Sequence, residues 1–103
     1  MPQFDVHRTL GSARKLAPFL VVLQTDLLEL ARLRVVAPLR PVRGFGPLLK
    51  TLHVPVLLTG RNYVLSTEEL ASVPAQILGE RVGNISDRRH AIVAALDFLF
   101  TGI

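Results

Sequence analysis

The spacing of apolar residues changes once along this chain, at Ser86, and that change limits the fold more than any other feature. Before it, aliphatic and branched residues come in short runs. These are Phe4-Asp-Val-His-Arg-Thr, Phe19 to Thr25, Leu33-Arg-Val-Val-Ala-Pro-Leu, Leu52-His-Val-Pro-Val-Leu-Leu and Asn62-Tyr-Val-Leu-Ser, separated or interrupted by glycine and proline. Runs of this length and branching read as strands. After Ser86, the residues Ile92, Ala95, Leu96 and Leu99 recur at i, i+3, i+4 and i+7, the spacing of one helix face. Val93 and Phe100 form an adjoining stripe. Ser86 suits an N-cap, with Asp87 in the first turn where the helix dipole favours an anion, and Gly102 stands where a C-terminal cap glycine belongs. Five or so strands followed by one helix give a mainly β fold, a small barrel or curled sheet with a terminal helix packed on it.

Punctuation residues refine the outline. Gly11-Ser-Ala-Arg supplies a turn, and Thr59-Gly60-Arg61 suits a tight hairpin. Pro38 closes the third strand or places it at an edge, and Pro55 needs an edge or a bulge. Asp26-Leu-Leu-Glu-Leu-Ala is a short helical or irregular connection, and residues 40–50 form one long loop. Pro74 interrupts Thr67 to Leu78, so that stretch reads as a bent strand or turn rather than a helix. A chain of 103 residues is one domain, spanning 1–103. It buries roughly 65% of its unfolded surface. With half its residues apolar and a mean hydropathy of +0.41, such a chain leaves apolar patches for a partner. A homodimer is the expected arrangement.

Several classes of function are disfavoured. The longest apolar run, Leu16 to Leu23, has eight residues and contains Pro18, whereas a bilayer helix needs about 20. The start of the chain lacks a signal-peptide pattern, and with no cysteine there is no disulfide, thiol nucleophile or thiolate metal site. A cytoplasmic location fits best. His7, His53 and His90 show no metal-ligand spacing, and neither a metal nor a cofactor is expected. Ser12, Ser66, Ser72 and Ser86 lie in no nucleophile motif, and Gly44-Phe-Gly46-Pro is too short for a phosphate loop. Glu68 and Glu69 are adjacent, so on an extended segment they point to opposite faces and build no paired acid/base site. No catalytic residue is assigned, and an enzyme is conceivable only through an arginine-centred site on the sheet.

Charge is unevenly spread. Residues 1–61 hold nine basic side chains against Asp5, Asp26 and Glu29, and ten of the twelve basic residues are arginine. Such a surplus fits a solvated basic face, an acidic protein partner or nucleic acid. Only Phe4, Phe19 and Phe45 interleave with it, which argues against base stacking. The chain ends Phe100-Thr-Gly-Ile103, an apolar end directly after a helix cap, which is either buried or presented to a partner.

Several stretches in order resemble the CcdB family of toxins from bacterial toxin–antitoxin modules. They are Phe4-Asp-Val6, Leu23-Gln-Thr-Asp-Leu-Leu28, Arg34-Val-Val-Ala-Pro-Leu39, Ala71-Ser-Val-Pro-Ala-Gln-Ile-Leu-Gly-Glu80 and the closing Phe100-Thr-Gly-Ile103. The resemblance implies a small SH3-like barrel with a C-terminal helix, working as a homodimer without a cofactor. It implies a poison of DNA gyrase that binds the GyrA subunit through its paired C-termini. A cognate antitoxin would neutralise it with a flexible acidic C-terminal segment, and operator DNA would be reached only through that antitoxin. By matching position, the gyrase-facing residues are Leu27, Leu28, Asp97, Phe100, Thr101, Gly102 and Ile103. The family's gyrase poisons carry tryptophan where this chain has Thr101. The alternative is a MazF-like endoribonuclease toxin of the same architecture, using arginines on the sheet as phosphate clamps and a carboxylate or histidine for proton transfer. A third reading is a degenerate toxin that only binds antitoxin.

Overall fold

The computed structural model describes residues 2–15, 17–26 and 32–102. Seven strands precede one helix: β1 (Asp5–Thr9), β2 (Phe19–Val22), β3 (Leu33–Pro41), β4 (His53–Leu58), β5 (Arg61–Ser66), β6 (Ala71–Pro74), β7 (Leu78–Asn84) and α1 (Arg89–Thr101). All pairings are antiparallel, in the order β4-β5-β3-β2-β1-β7, with β6 added beside β3. The sheet curls until its outermost strands meet: a Cβ on Gly83 of β7 would lie 3.0 Å from Leu58 Cδ1 of β4.

β3 has β2 along one side and two partners along the other. Leu33 to Val36 pair with β6, and Leu39 to Pro41 pair with β5. Ala37 and Pro38 fall between the two. Pro38, expected to end the strand or mark an edge, instead sits inside it where that side changes partner, so its missing N–H coincides with a gap in the ladder. Pro55 stands on the edge strand β4 and is exposed, as its chemistry requires. The Thr59-Gly60 hairpin has φ of 49° and 79°, the two left-handed positions of a type I′ turn.

The structure departs from the sequence reading at the end of β2, at the start of α1 and at β7. β2 stops at Val22 rather than Thr25, because the Gln24 side-chain oxygen replaces a backbone acceptor and takes the Val35 N–H at 2.8 Å. Ser86 is not the helix cap. Its N–H donates to Asn84 Oδ1 at 2.8 Å, Ser86–Arg88 form a 3-10 turn, and α1 begins at Arg89. β7 was missed because Leu-Gly-Glu-Arg-Val-Gly-Asn shows no apolar run. Pairing with β1 recruits it despite two register shifts. Gly79 lets β7 approach closely there, since a Cβ would come within 2.8 Å of the movable end of the exposed Leu10 side chain and 3.1 Å of the Arg8 carbonyl oxygen, so its neighbours would have to shift.

The sheet buries both faces, which explains the uninterrupted apolar runs of β2 and β3. Val21, Ala37, Leu39 and Leu65 point into the main core, where Ile92 and Ala95 of α1 close over them. Leu20, Val22 and Val36 point the other way, into a smaller cluster with Ala17 and Leu78. The start of α1 is tethered by Arg88 Nε, which donates to the Pro55 carbonyl at 3.0 Å, and by the Arg89 guanidinium over the Phe4 ring at 5.6 Å. Among the described residues no helix is long and apolar enough to cross a membrane. Ile92 is fully buried while Val93 is 39% exposed. Urea denaturation is therefore expected to show Ile92→Ala costing about 2–5 kcal/mol and Val93→Ala about 0.5 kcal/mol or less.

Candidate functional site

The last turn of α1 is shaped by its own backbone needs. Gly102 adopts φ 76° and ψ 16°, and its N–H donates to the Phe98 carbonyl at 2.9 Å, the αL cap that glycine makes at least cost. Thr101 Oγ1 donates to the Asp97 carbonyl at 2.6 Å, so its hydroxyl is spent within the helix. Phe100 is 71% exposed, the most exposed large apolar side chain among the described residues. Asp97 is exposed one turn earlier. Of the residues singled out from sequence, Asp97, Phe100, Thr101 and Gly102 are thus gathered at one tip. Leu27, Leu28 and Ile103 lie outside the described residues. Asp26, which precedes the first two, accepts the Gln3 N–H at 2.6 Å, and Gln3 Oε1 accepts from Arg89 at the opposite end of α1.

A second cluster was not foreseen. His53 on β4, Ser66 at the end of β5, Glu68 and Glu69 in the following 3-10 turn (Thr67–Glu69) and Arg40 on β3 converge on one open depression, which Phe45 and Leu49 of the long loop also line. Adjacent carboxylates diverge on a strand, but here they sit on a tight turn, and both approach Ser66 Oγ. The expectation that they point to opposite faces fails for that reason. Sequence held one signal, a serine followed two and three residues on by carboxylates, the spacing of a local side-chain turn.

The cluster is closed on itself. His53 Nδ1 accepts the Leu49 N–H at 2.8 Å, so the ring proton is on Nε2, which donates to Glu68 Oε2 at 2.6 Å. Arg40 Nε donates to Glu69 Oε1 at 2.8 Å, and its second nitrogen reaches Glu69 Oε2, a bidentate pair. Burial pushes the Glu68 carboxyl up, but hydrogen bonds from Ser66 and His53 outweigh it and hold the group below its ordinary range. For Glu69, the Arg40 hydrogen bond dominates and also lowers it, while the same bond raises Arg40. Thr67 Oγ1 donates to the Leu52 carbonyl at 2.6 Å and the Phe45 ring meets the His53 ring edge-on at 4.8 Å, so the cluster also fastens the long loop.

On β1, Asp5 is buried with Asn84 Nδ2 donating to Oδ1 at 2.8 Å. Arg81 Nε lies 3.0 Å from Oδ2, an ion pair by distance whose N–H is not aligned on the oxygen. Among the described residues no three His, Cys, Asp or Glu side chains are placed to hold a metal ion.

A family model, CcdB protein, matches residues 3–102. Among solved structures, the chain is similar to the Mycobacterium tuberculosis toxin MazF-mt6, at 18% identity and a TM-score of 0.75, covering 93% of this chain and 95% of that one. It is similar to another Mtb toxin at 19% identity and a TM-score of 0.70, covering 92% and 99%. It is also similar to an endoribonuclease from a mycobacterial species at 14% identity and a TM-score of 0.73, covering 96% and 89%. At these identities the structures speak for the fold.

Because Glu68 and Glu69 are held below the ordinary carboxylate value of 4.5, their contribution to stability is complete above it and is lost as pH falls through the folded values. Thermal unfolding across acid pH should show a shallower acid limb for Glu69→Gln than for the wild type. Parallel curves would mean that the Arg40 pair contributes nothing proton-linked.

Proposed function

The chain belongs to the CcdB family of toxins from toxin–antitoxin modules, and on that premise we propose that it acts on DNA gyrase. It binds the GyrA subunit through the last turn of α1 and performs no chemistry of its own. The observation that carries this reading is the tip itself. Gly102 fixes the chain direction, and Phe100 stands 71% exposed with no packing role to explain it. Exposed aromatics of this kind are the anchors of protein interfaces. A homodimer brings two such tips together, and the exposed Val93, Phe98 and Phe100 supply apolar surface for association. Residues 1–103 act as one domain in the cytoplasm, where gyrase and a cognate antitoxin are met. The basic first half of the chain favours an antitoxin with a flexible acidic segment, and operator DNA is engaged only through that antitoxin.

Position 101 sets the strength of the effect. Thr101 has no ring and its hydroxyl is committed to Asp97, so Phe100 carries the contact alone. Supercoiling and cleavage assays are expected to show weak poisoning by the wild type and stronger poisoning by Thr101→Trp. A well-packed ring adds about 1–3 kcal/mol, or roughly 5- to 150-fold in affinity. Phe100→Ala and deletion of residues 101–103 should abolish the effect without unfolding the sheet.

The ribonuclease reading draws on the MazF-like fold and on the cluster of Arg40, His53, Glu68 and Glu69. A general base needs a lone pair turned toward substrate, and in this cluster His53 and both carboxylates are already hydrogen-bonded to neighbours. That closure favours the gyrase reading. RNA cleavage by purified protein, retained after deletion of residues 101–103 and lost in Arg40→Ala, would reverse the choice.

A further inference from the structure

The long loop between β3 and β4 keeps a leucine in water although its backbone is firmly held. Leu49 is 56% exposed, yet both of its backbone groups are committed. Its N–H donates to His53 Nδ1 at 2.8 Å, and its carbonyl accepts the Leu52 and His53 N–H groups at 2.9 Å. Thr67 Oγ1 fixes the Leu52 carbonyl in turn, at 2.6 Å. Held in this way, Leu49, Lys50, Thr51 and Leu52 form one wall of a cleft of about 240 Å³, and Phe98 of α1 forms the other. The helix is anchored in the core by Ile92 and Ala95, so both walls are set before anything enters. Sites for small molecules are usually formed in advance like this.

The chemistry of the lining is simple. Leu49, Leu52 and Phe98 are apolar, Thr51 adds a hydroxyl, and Lys50 brings the single charge. Lys50 is exposed, and among the described residues it has no hydrogen bond or ion pair to another side chain. No acid stands between Glu29 and Glu68 in the sequence. Glu68 and Glu69 line the neighbouring depression, and they are held there by His53, Ser66 and Arg40. Asp97, beside Phe98 on α1, is exposed and forms no ion pair with Lys50. By proportion to the cavity of about 150 Å³ that holds a benzene ring, the cleft has room for about eight to ten carbon atoms. Phe98 and Phe100 are two residues apart, about 200° around an α-helix. Phe98 therefore borders the loop while Phe100 stands on the opposite flank, outside the cleft.

We propose that the cleft between the long loop and α1 binds a small amphiphilic carboxylate, a molecule with one carboxyl group on an aliphatic or aromatic body of about eight carbons. The body lies against Leu49, Leu52 and Phe98. The carboxylate meets the Lys50 ammonium, with the Thr51 hydroxyl as a second donor. Burial of carbon against three apolar side chains supplies most of the affinity. The ion pair forms at the rim in contact with water, so it selects the sign of the head group more than it adds strength. A neutral head group leaves Lys50 unpaired, and a cationic one faces it as a like charge. The bound molecule spans loop and helix, and so ties the segment that His53 holds to the element that carries Phe100. This site neither needs the gyrase reading nor bears on it.

The test titrates the isotope-labelled wild-type protein, followed by NMR, with octanoate, octanol and octylammonium, three probes of one chain length and three head-group charges. Octanoate is expected to bind saturably and to shift the backbone amides of Leu49 to Leu52 and of Phe98. Octanol should bind about 2- to 5-fold more weakly, the worth of one exposed ion pair, and octylammonium more weakly still. Lys50→Gln should remove the preference for octanoate over octanol and leave the affinity for octanol unchanged. Leu49→Ser, at an exposed side chain, should weaken octanoate and octanol alike, roughly 3- to 10-fold. Absence of saturable binding, shifts centred away from the loop and Phe98, or equal wild-type affinity for octanoate and octanol would each overturn the site. So would an octanoate preference that survives Lys50→Gln, or unchanged affinity in Leu49→Ser.

Discussion

One strand, β3, governs the rest of the molecule. It is nine residues long and must satisfy β2 on one side and both β5 and β6 on the other. The exchange of partners takes place at Ala37 and Pro38, where proline removes a donor that a continuous ladder would need. Because β5 leaves β3 at Leu39 and β6 joins it at Val36, the sheet divides into two wings. One wing curls with β4 toward β7 and encloses the core that receives α1. The other arches over the opposite face and leaves the cleft of Thr9 and Val73.

The seam between the wings carries a polar network beside its buried apolar residues. Arg40 leaves β3 just beyond the exchange point, and Glu69 meets it from the turn that links β5 to β6. Ser66 and Glu68 extend the same set of bonds to His53, and His53 holds the long loop through the Leu49 N–H. The Arg40 and Glu69 side chains are 31% and 39% exposed, so the pair contributes modest energy. The pair ties β3 to the turn after β5, and through Ser66, Glu68 and His53 that turn is tied to the long loop.

The same geometry leaves two separate surfaces exposed. The tip of α1 presents Phe100 because the inner helix face, Ile92 and Ala95, is committed to the core and leaves the remaining stripe outside. Among the described residues no strand pairs with the outer side of β6, and because Val35 bonds to Gln24 and Leu23, its partner Ser72 turns its N–H and carbonyl that way.

The sequence by itself determined the elements whose signals are local. The spacing of Ile92, Ala95, Leu96 and Leu99 specified the helix, Gly102 its cap, Thr59-Gly60 its hairpin, and Pro55 an edge strand, since each follows from backbone sterics or a repeat within a few residues. The run of motifs up to Ile103 specified the family. Tertiary structure alone decided what depends on residues far apart in the chain. β7 has no apolar run and exists because β1 pairs with it. Ser66, Glu68 and Glu69 became one cluster with Arg40 and His53 because a turn, not a strand, carries the carboxylates. Pro38 was readable as a break but not as the point where a continuous strand changes neighbours. A proline states which donor is missing, and only the assembled sheet shows which neighbour would have needed it.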